Sequence, residues 1–310
     1  MNGQTFIFGR PVEGEFFTDR EAETIRLCTN FNGGVNTFLL SPRRWGKTSL
    51  VKKVMGLVQA EDLKVVFVDV FKCKSPIEFS EAVASAVLSQ TASRADEFLE
   101  NAKAFLGRIN FGVNLSPDPM YSLDIKLGLT DDKVDISNAL QMPQKIAQKE
   151  NIRMVVCIDE FQQLALLPGY KSMEGKMRSV WQKQSHTSYC FYGSKRHMMM
   201  DIFNNSANPF YRFGQVLFLN KIKKEEWIPF ITGAFGRTGK SITEAQAERI
   251  CDIVKCHSWY LQQLCYFIWS GTSGAVSDEV IDRRVRQLID TNMPMFMNDV
   301  ENLTATQIAM

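Results

Sequence analysis

The chain has 310 residues, with 36 Lys and Arg against 34 Asp and Glu and a formal net charge of +2. That near balance supplies no general attraction to nucleic acid or anionic lipid, and no apolar run approaches the ~20 residues that span a bilayer. Seven cysteines without a paired spacing and an N-terminus without a secretory pattern point to a reduced, cytoplasmic, globular protein of one large domain or two.

In chain order, Phe6-Ile7-Phe8-Gly9-Arg10-Pro11-Val12 precedes Phe17-Thr18-Asp19-Arg20-Glu21-Ala22-Glu23, where acidic residues in a first turn mark a helix start. This segment either packs as a simple N-terminal helix or lies over an adenine ring bound at the next feature. Thr37-Phe38-Leu39-Leu40 reads as a buried strand. Ser41-Pro42-Arg43-Arg44-Trp45 follows as a tight loop, and Gly46-Lys47-Thr48-Ser49 opens a helix with Leu50, Val51, Val54 and Leu57 at helical spacing. Strand, loop and helix opening on Gly-Lys-Thr form the context of a phosphate-binding loop. Backbone N–H groups at the helix start and the helix dipole favour phosphate there, Lys47 reaches the terminal phosphates, and the Thr48 hydroxyl sits on Mg²⁺. The first loop position, usually glycine, is Ser41.

Lys64–Val70 predicts a second buried strand, and residues 76–106 one or two helices with Phe79, Val83, Val87 and Leu88 on one face. The period then changes. Apolar residues alternate strictly from Ile109 to Leu115 and from Tyr121 to Leu129 around Ser116-Pro117-Asp118-Pro119-Met120, which predicts a β-hairpin inserted at 108–130. It either covers its own sheet or serves as a partner-binding arm. A helix over 137–149 leads to Met154-Val155-Val156-Cys157-Ile158-Asp159-Glu160, a buried strand ending in two carboxylates. Ligands of parallel sheets bind beyond the C-terminal strand ends, so this pair is expected to face the same crevice as Lys47. Asp159 suits Mg²⁺ and Glu160 suits the base that polarises the attacking water; the alternative is that the pair caps the next helix. Ser188–Gly193 ends in Ser194, a candidate contact to the γ-phosphate or water, or a turn serine. Before a fifth strand at Gln215–Leu219, Asn208-Pro209-Phe210-Tyr211-Arg212 offers Arg212 as a candidate arginine finger. From Lys223 the strands stop. Four helices are expected near 223–235, 243–255, 258–270 and 277–291, with a Thr243–Gln246 capping box. Cys251, Cys256, His257 and Cys265 lack the pair spacing of a zinc site and read as core.

These pieces, in this order, resemble the AAA-like P-loop ATPases of archaeal and Bacteroides-type organisms, within the STAND class of signalling NTPases and akin to origin-recognition ATPases. The resemblance rests on Phe17–Glu21, Ser41–Thr48, Val156–Gln162, Gly193-Ser194, Asn208–Arg212 and His257-Ser258-Trp259-Tyr260-Leu261-Gln262. It implies an α/β core with a parallel sheet of order 5-1-4-3-2 over residues 1–222, a helical lid over 223–296, and a winged-helix domain beginning at 297. A Thr304–Gln307 capping box followed by about one turn leads us to expect that the natural chain continues into that domain. The resemblance makes Pro11, Val12 and Arg20 adenine neighbours, residues 42–49 the phosphate cradle, and His257 the lid contact. Ser258 stands where the family carries the proline that approaches the nucleotide. The expectation is a slow ATPase holding ATP or ADP with Mg²⁺, a nucleotide-dependent switch with a protein partner and a nucleotide-dependent oligomer. Two rivals stand beside it. One is a DNA-binding ATPase whose contact to nucleic acid needs the C-terminal domain, and the other is a nucleotide-holding interaction module without turnover.

Overall fold

The computed structural model describes residues 5–58, 62–91, 110–115, 123–128 and 136–301. By contact the chain divides into two compact units. Glu21–Arg43 and Leu50–Leu219 form a sheet unit, while the residues up to Arg20, Arg44–Ser49 and the residues from Asn220 form a helical unit.

The sheet unit contains β1 (Thr37–Leu40), β2 (Leu63–Asp69), a hairpin of β3 (Asn110–Leu115) and β4 (Leu123–Gly128), β5 (Arg153–Asp159), β6 (Thr187–Gly193) and β7 (Gln215–Phe218). Five of these strands form one parallel sheet in the order β2-β5-β6-β1-β7. Counting those five alone gives 2-3-4-1-5, the expected order read from the opposite edge. Every residue of β1 and β6 is buried, as a parallel sheet flanked by helices requires. The flanking helices are α1 (Glu21–Asn32), most of α2 (Lys47–Val58), α3 (Pro76–Thr91), α4 (Ser137–Lys149), α5 (Tyr170–Trp181) and α6 (Arg196–Asn204). α3 lies against β2 and α4, and α4 against β5 and α5.

Rings fill much of the core on one side. Phe38 stacks on Phe203 at 3.6 Å between centroids and Trp181 on Tyr189 at 4.3 Å, while Phe161, Phe191 and Phe210 meet at 4.6–5.7 Å. The Asn30 amide of α1 donates to Thr37 Oγ1 (3.0 Å) and Gln215 Oε1 (2.8 Å), tying that helix to the first residues of two neighbouring strands.

The inserted hairpin pairs antiparallel, with Phe111 opposite Leu127, Val113 opposite Ile125 and Leu115 opposite Leu123. Its expected turn at 116–120, the expected helix beyond Thr91 up to 106, and the Thr304–Gln307 capping box lie outside the described residues.

The helical unit holds α7 (Lys224–Gly236), α8 (Glu244–Ile253), α9 (Ser258–Ser270) and α10 (Asp278–Glu301). The predicted cap of α8 is present in full: Gln246 N–H donates to Thr243 Oγ1 at 3.2 Å and Thr243 N–H to Gln246 Oε1 at 3.1 Å. Its core joins Trp227, Ile231, Phe235, Ile250, Leu261, Leu264 and Ile281. Phe6, from the opposite end of the sequence, is fully buried in that core, 5.4 Å from Phe235 between ring centroids. α10 runs unbroken through residue 296, so the boundary expected between lid and following domain falls inside a helix. No helix among the described residues is long and apolar enough to cross a membrane.

Candidate nucleotide site

A carboxylate cluster is built in the sheet unit where β5 and β6 stop. Parallel pairing sets Asp159 beside Asp69, the last residue of β2, and Ile158 beside Phe191 of β6. The chain then turns sharply: Glu160 adopts φ 53° and ψ 38°, a left-handed conformation that a non-glycine residue holds only at a cost of order 1–3 kcal/mol. Asp159 Oδ1 secures the turn by accepting the Glu160 N–H at 2.8 Å. The Glu160 carboxylate does not cap the short 3₁₀ helix that follows. Its Oε2 instead accepts from Gln162 Nε2, from Ser194 Oγ at 2.9 Å and from the Ser194 N–H at 3.3 Å.

Packing explains why that arrangement closes. Gln162 is fully buried, and its carboxamide runs along Gly193, where a Cβ would lie 1.7 Å from Gln162 Oε1. Glycine is needed for that approach. Beneath it Phe161 seats against Phe191, Phe203 and Phe210, so the turn rests on the aromatic core. Tyr192 is buried with its hydroxyl unpartnered among the described residues; burial pushes its ionisation well up, and the charge of Asp159 adds to this.

A second cluster surrounds Arg44–Ser49, which packs within the helical unit. Arg44 and Gly46 take φ values of 65° and 91°, and glycine adopts the second without strain. α2 starts at Lys47, which is 6% exposed. The N-terminal segment clamps this loop. Arg20, itself left-handed at φ 72° and 3% exposed, donates from Nη2 to the Trp45 carbonyl at 3.3 Å, and the Val12 N–H donates to Ser49 Oγ at 3.0 Å. From the other side the Arg44 guanidinium lies 4.2 Å over Trp259 of α9 and donates to Met295 Sδ of α10. His257 precedes α9 with its ring 4.7 Å from Tyr260 and Nδ1 buried without a hydrogen-bond partner among the described residues. Burial, then the charge of Lys221 and that of Arg44, hold it below the usual histidine range. In the sheet unit, the Ser41 hydroxyl is buried and donates to the Pro42 carbonyl at 3.1 Å. The side chain that replaces the usual glycine is thus absorbed locally.

No protein-family model matches the chain, and no curated protein matches it. Solved structures do. A Walker-type ATPase of Pyrococcus abyssi aligns at a TM-score of 0.67 and 14% identity, over 96% of this chain and 79% of its own. The ORC2 protein of Aeropyrum pernix in its ADPNP–ADP complexes aligns at 0.59 and 14%, over 97% and 74%. The ORC1 protein of the same organism in complex with DNA aligns at 0.55 and 12%, over 90% and 67%. The fold is that of a P-loop NTPase.

Within this fold, the structure brings Glu160 and Ser194 into direct contact and gathers Val12, Arg20, Arg44, Trp45, Lys47, Thr48, Ser49 and His257 into one unit. Pro42 and Arg43 follow β1 in the other unit, with Arg43 exposed. Pro11 is exposed in the N-terminal segment. Arg212 lies exposed over the ring of its neighbour Tyr211, with φ 53°, and shares no hydrogen bond with Glu160 or Ser194. Two residues of the carboxylate cluster carried no role in the sequence reading. Both stood in the sequence only as members of the stretches Val156–Gln162 and Gly193-Ser194 that carry the family resemblance.

Proposed function

We propose that this chain binds ATP and ADP with Mg²⁺ and hydrolyses ATP slowly, its nucleotide state acting as a conformational switch. One observation carries the reading. In a sheet of order β2-β5-β6-β1-β7, the strand that feeds Gly46-Lys47-Thr48 at the head of α2 is β1, while β5 and β6 end in Asp159-Glu160 and Ser194. In parallel sheets such strand ends share the ligand crevice. Lys47 and the first N–H groups of α2 hold the phosphates, Thr48 and Asp159 offer the hard oxygen donors that Mg²⁺ takes, and Glu160 accepts the proton of the attacking water beside Ser194. Mg²⁺ when bound offsets phosphate charge. Arg20, Pro11, Val12 and His257 border the base, and Arg212 neutralises developing charge once a conformational step or a neighbouring copy brings it in. The Walker-type ATPase and the nucleotide complexes among the structural neighbours support this reading. Cytoplasmic location and STAND-class signalling with a protein partner belong to the same proposal, as does nucleotide-dependent assembly.

The test is calorimetric titration with ATP, ADP and GTP in Mg²⁺, with phosphate release followed in parallel, on the unmodified chain and on Lys47→Ala. ATP binding weakened about ten- to a hundredfold in Lys47→Ala, the loss of one charge-assisted contact, is the expected result. No binding to the unmodified chain refutes the proposal. The neighbour solved with DNA favours a second reading, a DNA-associated ATPase. DNA binding that falls steeply with salt would support it.

A further inference from the structure

The geometry points to Gln162 as the positioning residue of the carboxylate site. This inference rests on the reading of Glu160 as the base. Three donors converge on a single oxygen, Glu160 Oε2: Gln162 Nε2, Ser194 Oγ and the Ser194 N–H. A carboxylate held at one oxygen presents the other, so Oε1 is the atom left to accept a proton from water. Ser194 is half-buried and hangs on the short connection between β6 and α6, whereas Gln162 is fully buried beside Gly193. Of the two side chains, Gln162 is the one the protein immobilises.

Its other end shows what the residue is for. Gln162 Oε1 is buried with no hydrogen-bond partner among the described residues. An orphaned buried acceptor is a cost, and a leucine or methionine of similar reach would remove it. Turning the amide over would set Oε1 against the Glu160 carboxylate, so only the observed orientation works. A residue chosen for stability alone would not be an amide here, because the position satisfies one half of the group at the expense of the other. The left-handed backbone of Glu160 is the second strained element in the same four residues. Both strains serve one outcome, a carboxylate fixed in direction.

The decisive experiment compares Gln162→Met, which keeps length and removes the donor, with Ser194→Ala and Glu160→Gln, alone and combined. Single-turnover ATP hydrolysis and ATP affinity are measured for each. Gln162→Met lowers the hydrolysis rate about tenfold or more, the scale of a misaligned reacting group, while ATP affinity stays unchanged. In the Glu160→Gln background the same substitution has no further effect. A Gln162→Met rate within twofold of the unmodified chain overturns the inference, as does an equal fractional loss in both backgrounds. Unchanged turnover in Glu160→Gln overturns the reading of the base instead. A second cycle, Gln162→Met against Glu160→Ala followed by urea midpoints, needs no nucleotide. Additive midpoints there refute the hold of Gln162 on Glu160, and non-additive midpoints in a chain that does not hydrolyse ATP confirm the hold while rejecting its catalytic use.

Discussion

Gly193→Ala tests the carboxylate cluster through packing alone. The glycine does not occupy the left-handed region, so alanine suits its backbone and would ordinarily stabilise by about 0.4–1 kcal/mol through the unfolded chain. The added Cβ, however, would lie 1.7 Å from Gln162 Oε1, 2.8 Å from its Cδ and 3.3 Å from Met199 Sδ. The buried amide must swing away and its bond to Glu160 breaks. Losing a hydrogen bond to a charged group costs about 1.5–3 kcal/mol, and the overpacking adds about 1–3 kcal/mol, leaving a net loss of about 1.5–5.5 kcal/mol once the unfolded-chain gain is taken off. Urea unfolding followed by Trp181 emission reads the right unit, because Trp181 stacks on Tyr189 within the sheet core. The double variant Gly193→Ala/Gln162→Ala supplies the missing space and recovers at least half of the loss. A single variant with an unchanged midpoint, or a double variant no better than the single, refutes the steric argument.

Gly214→Ala strikes backbone rather than side chain: its Cβ would lie 2.2 Å from the Asn36 carbonyl oxygen, the acceptor of the Gln215 N–H. We expect β7 to be pushed off β1 and the sheet to lose about 2–4 kcal/mol, read by the same urea curves. Thr243→Ala removes the α8 cap and costs about 1 kcal/mol, seen as a lower thermal midpoint of the helical unit. Because His257 is held below its unfolded pKa, the neutral ring's contribution is complete above about 6.5 and fades as pH falls through the folded value. The midpoint lost between pH 7.5 and 5 is therefore smaller in His257→Gln than in the unmodified chain, and identical losses would count against the buried neutral ring. Burial, with Glu78, Asp69 and Glu81 adding charge, pushes the Cys73 thiol up to about 11. Its alkylation at pH 8, mapped by peptide mass, should run on the order of a hundredfold slower than that of an ordinary thiol and speed up in Glu78→Gln.

The strands and most helices were legible because buried parallel strands leave continuous apolar runs, such as Val155-Val156-Cys157-Ile158, and because Thr243 and Gln246 sit at capping distance in sequence; the strand order came from the family resemblance alone. Residue type at a strand end likewise marked Asp159, Glu160 and Ser194. The partners of those residues were not legible. The Arg20 bond to the Trp45 carbonyl spans 25 residues, the Phe6 contact to the helical core spans more than 200, and no periodicity encodes either. The contact between Gln162 and Gly193 was not legible for a related reason. The signal is a space that one lacks and the other fills, which exists only after two strands have been laid side by side.

The phosphate loop packs with helices made much later than itself. Roughly 170 residues separate Ser49 from Asn220, where the rest of its unit resumes. At about 5–20 residues per second, the ribosome needs roughly 9–34 s to reach Asn220 and roughly 13–50 s to complete those helices at Glu301. During that interval β1 can already pair with β6 once residue 193 has emerged, yet Arg44 has no Trp259 to lie against. A nascent chain therefore carries its sheet strands before the loop Arg44–Ser49 has the helices of its own unit to pack with.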